Sequence, residues 1–437
     1  MYKDRKVGKS DRGMMTVEIL LAFFLWAIFL TGIVSLWFTL FNPSIPFFEY
    51  INQENFYTQL SNNREVASSF TNSFIGRGVK LFTSSNGLLA SITDWQNGFG
   101  QKTCRGLYAD RLRNVQSGEA ESLELDGMNV ASAMVVRGRY MYLATNSGST
   151  TDPDLYIISL ADQRNLSVIS KIDTGPGLTS LAVAGYTLFT ANTSINSQAQ
   201  AVDIGDPIHP LLKWSFKVPG SQGTSTALGK AVVSNGNQVF LGTAKNASSE
   251  LFSLDAETGQ LLAEREMGTG VNGLFLNHSL LYVTSPIDPE LLVFDTSAAL
   301  QLVTHYDAPG GSGNGKSVEI VNDDIYLGRT LGGNELMHLS VEDQYESSAS
   351  MTIVKKSDAK IGATVDAMIA SENSLFVLTG HSQKELQVWK NVEGSDQLFL
   401  GQTIDLPARA VGIGCDGQYV YVALGTHIPI LIFEPEL

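Results

Sequence analysis

A single carboxylate, Glu18, stands at the head of the longest apolar run in the chain. Residues 19–41 contain no charged side chain, and five basic residues precede them, of which Lys9 and Arg12 lie closest. An unpaired carboxylate at the centre of a bilayer costs on the order of 2.5–3.5 kcal/mol, and less near the interface. Glu18 therefore needs a cationic partner, and this end of the chain is the first place where specific chemistry is expected.

Sequence signatures of catalysis are poor. The six histidines are scattered, with neither a metal-binding helix motif nor a pair at ligand spacing. The string GGSGNGK at 310–316 ends in Gly-Lys but lacks the spacing of a phosphate-binding loop. A cation site at Asp152 and Asp154 is disfavoured because a third carboxylate is missing. We predict a protein that is not an enzyme and that uses no cofactor or metal ion.

The string from Gly13 to Ala22, GMMTVEILLA, links the basic leader to the apolar run. It resembles the class III signal of type IV prepilins, and the form found in minor pilins and pseudopilins in particular. The resemblance implies cleavage after Gly13 by a prepilin peptidase, methylation of the new amino terminus at Met14, and an ion pair between Glu18 and the amine of a neighbouring subunit. The implied partners are other pilin subunits and, indirectly, the pilus assembly platform and its ATPase. The chain departs from the commonest pattern in having Met14 instead of Phe and Met15 where Thr is frequent.

Charge and hydropathy divide the amino-terminal region into four segments. These are a leader peptide (1–13), a hydrophobic transmembrane and filament-core helix (14–42), an amphipathic stalk helix (43–78) and a neck (79–117). As a helix, the 23 uncharged residues 19–41 would span about 34 Å, enough to cross a bilayer. Because the basic residues precede this run, we expect the amino terminus in the cytoplasm and the rest of the chain exported. An uncleaved signal anchor with an incidental Glu18 is the alternative.

The remainder of the chain repeats. A short strand with a central aromatic residue recurs seven times, at intervals of 42–51 residues, at Tyr142, Phe189, Phe240, Tyr282, Tyr326, Phe376 and Tyr421. Each instance has an apolar strand before it and a third strand after it, and six have a fourth. Four short strands in a unit of about 40–50 residues are typical of a β-propeller blade. We therefore predict an α+β chain in which the amino-terminal helix precedes an all-β, seven-bladed propeller at 118–437.

The last repeat lacks a fourth strand, whereas a spare segment precedes the first repeat. Residues 122–125 alternate in polarity like a strand, and we predict that they complete the last blade and remove its exposed edge. Cys415 ends the first strand of that blade, and Cys104 lies upstream of the closing segment, so both should lie on one face of the ring. A disulfide between them outside the cytoplasm would lock the ring, and two unpaired cysteines are the alternative.

Two strings bear on what the propeller binds. Residues 199–216, AQAVDIGDPIHPLLKWSF, resemble the LVIVD-type propeller repeat, and residues 154–172 are a looser copy. The loops expected to face away from the stalk are rich in Gly, Ser, Asn and Thr, and they comprise residues 146–153, 192–198, 220–229 and 310–315. Such loops suit adaptable polar binding of an unknown surface ligand, with a glycan as one class, and plain turns are the alternative.

Composition excludes other classes of function. The chain has 437 residues, 43% of them hydrophobic, and a net charge of −15. It can therefore bury a large core, and it repels nucleic-acid phosphates, so we expect no nucleic-acid partner for the propeller. The predicted function is a minor-pilin-like subunit, in the cytoplasmic membrane before assembly and in an extracellular filament afterwards, whose head serves adhesion or binding. The alternatives are a pseudopilin of a type II secretion or DNA-uptake system and a monomeric, membrane-anchored propeller.

Overall fold

The computed structural model describes residues 80–83, 88–91 and 104–436, all within the compact unit Tyr57–Leu437. The last range has gaps at 105–108, 110, 116–122, 124, 127–128, 147–150, 163–164, 221–227, 310–311, 322, 344–350, 372–373, 392–394, 417 and 428. The predicted leader, hydrophobic helix and stalk helix lie outside the described residues. Within those residues, no helix is long and apolar enough to cross a membrane.

The strands β1 (Lys80–Thr83) and β2 (Leu88–Ser91) pair as an antiparallel hairpin. β3 (Arg111–Asn114) follows it in the chain. Blade 1 consists of β4 (Ala131–Arg137), β5 (Tyr140–Thr145), β6 (Leu155–Ser159) and β7 (Ser167–Ile172). Blade 2 consists of β8 (Leu178–Ala184), β9 (Thr187–Asn192), β10 (Ala199–Asp203) and β11 (Leu211–Phe216). Blade 3 consists of β12 (Gly229–Ser234), β13 (Gln238–Thr243), β14 (Leu251–Asp255) and β15 (Leu261–Arg265).

The second half of the ring repeats the same order. Blade 4 consists of β16 (Gly273–Asn277), β17 (Leu280–Thr284), β18 (Leu291–Asp295) and β19 (Gln301–Tyr306). Blade 5 consists of β20 (Gly315–Val321), β21 (Asp324–Arg329), β22 (Leu336–Asp343) and β23 (Met351–Ala359). Blade 6 consists of β24 (Val365–Ala370), β25 (Ser374–Thr379), β26 (Leu386–Asn391) and β27 (Leu398–Ile404). Blade 7 contains β28 (Ala410–Cys415), β29 (Val420–Leu424) and β30 (Ile430–Glu436).

The seven four-stranded sheets confirm the predicted seven-bladed propeller. In each blade the strands are antiparallel, and the first strands contact one another in cyclic order from β4 through β28 and back to β4. The first strands therefore surround the axis of the ring. No single sheet could bury both of its faces alone, which is why the blades must stack into a ring.

The recurring aromatic residues lie in the second strands and form the core between blades. Phe240 and Phe376 are completely buried, and Phe189 of blade 2 packs with Val232 and Phe252 of blade 3. The second strands are buried along nearly their whole length, whereas the fourth strands, such as β15, are mostly exposed. The aromatic residues therefore serve blade packing, as their spacing predicts.

The closing strand comes from the amino-terminal side of the ring, but the predicted segment was wrong. β3, and not residues 122–125, pairs with β30 and completes blade 7. Arg113 of β3 forms ion pairs with Glu434 and Glu436 of β30, while Leu112 is buried between the blades. β3 falls in the segment 79–117 that the sequence analysis assigned to a neck, so the propeller begins before residue 118.

Candidate functional site

One face of the propeller carries two sets of connections. Since the strands of a blade alternate in direction, the connections from second to third strand and those from fourth strand to the next blade emerge on the same side. We call this side the loop face. All four loops predicted to bind a ligand belong to it, although residues 147–150, 221–227 and 310–311 of these loops are outside the described part.

On the loop face, a buried polar residue stands immediately before the third strand of six blades. We call these six the latch residues, and they are Asp154, Gln198, Glu250, Glu290, Glu335 and Glu385. Each side chain accepts a backbone N–H from the connection that leaves the fourth strand of the same blade, at Thr174, Val218, Met267, Ala308, Ile361 and Leu406 respectively. The latch residues therefore join the two sets of connections and hold the loop face in place.

The latch residues were missed by the sequence analysis, although their signal was visible. The third strands of blades 3 to 6 all begin with Glu-Leu, in ELFSLDA, ELLVFDT, ELMHLSV and ELQVWKN. A glutamate next to a polar turn is usually solvated, so periodicity alone assigns it to the surface. Blade 7 has Pro429 at the equivalent position, where no side-chain acceptor is available.

Burial shifts the pKa values of several latch residues. Burial raises the pKa of Asp154 to about 6, although its oxygens accept hydrogen bonds from the backbone and hydroxyl of Thr174. Burial also raises the pKa of Glu250. For Glu335, burial acts in the same direction, but four backbone N–H donors outweigh it and hold the pKa below its usual value. The number of N–H donors in each connection therefore decides the free-energy cost of ionising a buried latch carboxylate.

On the loop face, the first residues of the seven first strands surround the axis of the ring. We call this set of residues the collar. In six blades one residue near the start of the first strand bulges out of the ladder, namely Ser132, Thr179, Lys230, Lys316, Asp366 and Val411. Bulges re-aim a side chain and are frequent beside functional sites. Here, several of these side chains contact the next blade.

Two collar contacts show how neighbouring blades are joined. The hydroxyl of Ser132 donates to the carbonyl of Leu178 at 2.7 Å. Asp366 of blade 6 accepts three hydrogen bonds from Arg409, which lies in the connection to blade 7. Lys230 and Lys316 add two ammonium groups, so the collar mixes polar and charged groups around the axis. This arrangement can recognise a polar ligand.

A buried ion pair links blades 4 and 5 beneath the loop face. Arg329 Nη2 lies 2.6 Å from Oε1 of Glu290, and the two side chains are 2% and 1% exposed. Arg329 also donates to the carbonyls of Gly313 and Asn334. Removal of one partner of such a pair leaves an uncompensated buried charge, which costs about 3–5 kcal/mol. This pair therefore contributes to blade register rather than to exposed binding surface.

The predicted site residues fall into two groups. Gly13, Met14 and Glu18 lie outside the described residues. Cys104 and Cys415 are joined by a disulfide with a Cα–Cα distance of 5.6 Å. The backbone N–H of Cys104 donates to the carbonyl of Ala370, at the end of the first strand of blade 6. The disulfide therefore lies on the face opposite the loop face.

Both ring nitrogens of the buried histidine His338 have polar contacts within the protein. Its two ring nitrogens contact Asp324 Oδ1 and the carbonyl of Asp396, and its ring stacks on Tyr326. Lys356 occupies the same carboxylate of Asp324. With both nitrogens engaged, His338 stabilises the packing of blades 5 and 6.

Comparison with known proteins identifies the fold. No protein-family model matches the chain, and no curated protein matches its sequence. Solved propellers do match in structure. The WD40 repeats of RRP9 are 10% identical, with 75% of this chain and 100% of that chain covered and a TM-score of 0.55. Virginiamycin B lyase from Staphylococcus aureus is 12% identical, with 75% and 99% covered and a TM-score of 0.53.

Hydrazine synthase of Kuenenia stuttgartiensis is a third structural match, at 11% identity, with 74% of this chain and 99% of that chain covered and a TM-score of 0.55. Two of these proteins are enzymes of different kinds, a lyase and a synthase. At such low identities the similarity establishes the β-propeller fold alone, because one fold hosts many unrelated functions.

Proposed function

We propose that the chain is a type IV pilin-like subunit that assembles through its amino-terminal helix and displays the propeller as an exported binding head. The observation that supports this most strongly is the order of residues at the amino terminus: a basic leader, Gly13, Glu18 four residues after the proposed new terminus Met14, and the uncharged run 19–41. A carboxylate at this depth is stabilised when the amine of a neighbouring subunit neutralises it. The proposed role of Glu18 is therefore assembly.

The cysteines support export of the propeller. Disulfides persist in oxidising compartments and are rare in the cytoplasm. The bond between Cys104 and Cys415 fits a head that folds outside the cytoplasmic membrane, the side on which the positive-inside rule places it. Prepilin peptidase and the other subunits of the filament are the partners of the amino-terminal region in this proposal.

The loop face is the binding surface in this proposal. It presents polar connections and the charged collar, and its rigidity comes from the latch residues and the inter-blade contacts beneath it. Binding residues are commonly placed on loops that a rigid scaffold positions. The string 199–216, proposed to be an LVIVD-type repeat, forms β10, β11 and their turn in this scaffold. A surface polymer such as a glycan is the proposed class of ligand, and catalysis is no part of the proposal.

Replacement of Glu18 by Ala tests the assembly step. In cells, the variant is expected to insert into the membrane normally and to be lost from sheared surface filaments, because its helix no longer neutralises a neighbouring amine. Glu49→Ala, which removes the first carboxylate after the apolar run, is the matched control and should assemble like the wild type. Equal amounts of the Glu18 variant and the wild type in the filament fraction would contradict the proposal. Wild-type chain that stays in the membrane under all conditions would favour the tethered propeller.

A further inference from the structure

Three carboxylates converge at the junction of blades 4 and 5 on the loop face. Asp288 and Glu290 lie in the connection between β17 and β18, and Asp307 directly follows β19. Each residue has one carboxylate oxygen that lies within 4.8 Å of the corresponding oxygens of the other two residues. Glu290 is buried, whereas Asp288 and Asp307 are exposed. Carboxylates this close repel one another unless a positive charge lies between them.

The protein neutralises only one of the three. Arg329 pairs with Glu290, whose second oxygen accepts the backbone N–H of Ala308 at 2.7 Å. Asp288 and Asp307 have no ion-pair or hydrogen-bond partner in the part of the chain that the structure describes. Two negative charges therefore remain at the junction, and an acidic cluster alone is common on protein surfaces.

A buried polar group beside the cluster provides independent evidence of a ligand. The hydroxyl of Tyr306 is buried, with the residue only 8% exposed, and has no hydrogen-bond partner in the structure. Tyr306 pairs with Leu291 across blade 4 and directly precedes Asp307, so it lies beside the cluster. Burial raises the pKa of Tyr306 to about 12, and among the nearby charges Glu290, Asp358 and Asp307 raise it further while Arg329 lowers it. Buried polar atoms usually have a partner, which here would be water or an ion with its water.

The other blades show what distinguishes this junction. Three positions define it: two residues before the latch residue, the latch residue itself, and the residue after the fourth strand. In blade 1 these positions hold Asp152, Asp154 and Asp173. There both oxygens of the latch carboxylate are bound to Thr174, and Asp173 accepts the N–H of Gly175. The three groups therefore do not converge as they do in blade 4.

The remaining blades lack the full set of carboxylates. Blade 6 holds Gln383, Glu385 and Asp405, while blades 2 and 5 have Lys217 and Lys360 at the third position. Among the described residues, the three acidic groups of blade 4 are the group whose oxygens lie close enough to share an ion.

We propose that Asp288, Glu290 and Asp307 bind a divalent cation and that Ca²⁺ is the ion that fits best. Ca²⁺ accepts six to eight oxygen ligands in a flexible arrangement, whereas Mg²⁺ requires a near-ideal octahedron and loses its water reluctantly, so carboxylates from two separate connections suit Ca²⁺ better. Water completes the coordination, and one such water donates to the hydroxyl of Tyr306. The ion joins the second-to-third-strand connection of blade 4 to the connection that enters blade 5.

This site is independent of how the amino-terminal region assembles. Three ligand side chains, two of them exposed, predict a dissociation constant on the order of 10⁻⁴–10⁻³ M, which is typical of extracellular calcium modules. The ion would be bound outside a cell and released in the cytoplasm. Its effect is therefore a gain in stability of the loop face after export.

Thermal unfolding of the full chain in mild detergent, after removal of metal with a chelator, tests the proposal. Ca²⁺ at ten times its dissociation constant should raise the unfolding midpoint by about 2 °C, because only the folded state offers all three ligands. The double variant Asp288→Asn/Asp307→Asn should lose this rise, and Mg²⁺ should give a smaller one. Asp405→Asn, at the equivalent position of blade 6, is the matched control and should keep the full rise.

Terbium(III) provides a second measurement that does not depend on stability. Bound near Tyr306, the ion should emit on excitation of tyrosine, and Ca²⁺ should displace it. The emission should fall in Asp307→Asn and stay unchanged in Asp405→Asn. Absence of any Ca²⁺-dependent midpoint shift in the wild type, or an equal shift in the double variant, would overturn the proposal, as would terbium emission that is the same in all variants.

Discussion

The latch residues show how single side chains organise the loop face. A short carboxylate or amide reaches from one connection to the backbone of another, and it does so in six blades with three different residue types. Gln198 shows that a neutral amide can accept the same N–H as a carboxylate. A latch carboxylate that is costly to ionise can therefore be replaced by its amide without loss of this hydrogen bond.

Asp154 is the latch residue for which replacement by the amide should have a measurable effect on stability. Because its pKa is raised to about 6 from 3.8, the folded state holds its proton more strongly than the unfolded state does. The contribution of Asp154 to the free energy of unfolding is greatest at or below about pH 4. It falls as the pH rises to about 6 and stays constant at higher pH. Asp154→Asn does not titrate, so its stability relative to wild type should rise by up to about 3 kcal/mol between pH 4 and pH 7.

Denaturant unfolding across this pH range measures the effect. Asp152→Asn, two residues earlier in the same connection, is the matched control and should follow the wild-type pH profile. A pH profile for Asp154→Asn that is parallel to that of the wild type would contradict the assignment.

The repeated Glu-Leu of blades 3 to 6 is visible in the sequence, but the burial of the glutamate is not, for a physical reason. The burial of a glutamate next to a turn depends on the N–H groups that another connection supplies, as Ile361 and Gly362 do for Glu335. These donors come from residues up to 27 positions away. The periodicity of polar and apolar residues does not reveal which backbone N–H groups pair with a given glutamate. The triplet at Asp288, Glu290 and Asp307 was missed for the same reason.

At the scale of strands, the repeats were predictable and the closing strand was not. A buried second strand with a central aromatic residue, such as Tyr142 or Tyr421, leaves a clear pattern in the sequence. The closing strand needs only one buried side chain, Leu112, so RLRN and the segment at 122–125 look alike. The complementary charges of Arg113 and Glu434 distinguish the two, and such pairing is visible only once the register with β30 is known.

The disulfide reinforces the closure that β3 provides. Cys104 precedes the closing strand and Cys415 ends the first strand of the same blade, 311 residues later. A bond that closes such a long loop restricts the unfolded chain. The entropic model gives about 4–5 kcal/mol for the resulting increase in the free energy of unfolding. The bond is therefore expected to stabilise the closed ring by about this amount.

The variant Cys104→Ser/Cys415→Ser should therefore unfold at a clearly lower denaturant concentration than the oxidised wild type. Reduced wild type should behave like the double variant, which separates loss of the bond from any effect of the serine side chains. Identical unfolding midpoints for oxidised wild type, reduced wild type and the variant would show that closure depends on β3 alone.

At the scale of the whole molecule, we propose different functions for the propeller and for the amino-terminal region. The ring provides a rigid face with polar connections, and its fold is shared with structures of unrelated function. The proposed assembly function depends on the amino-terminal residues that precede the described part of the chain. A bulky head on each subunit would also limit how densely such subunits occur in a filament.

The amino terminus of the native protein is the most direct test of the central proposal. Mass spectrometry of the amino-terminal peptide from the cells that make this protein should identify a chain that begins at Met14 and bears a methyl group on its amine. Such a terminus supplies the cation that Glu18 of a neighbouring subunit requires. A native chain that still begins at Met1, with residues 1–13 attached, would contradict the pilin-like account and leave a membrane-tethered propeller.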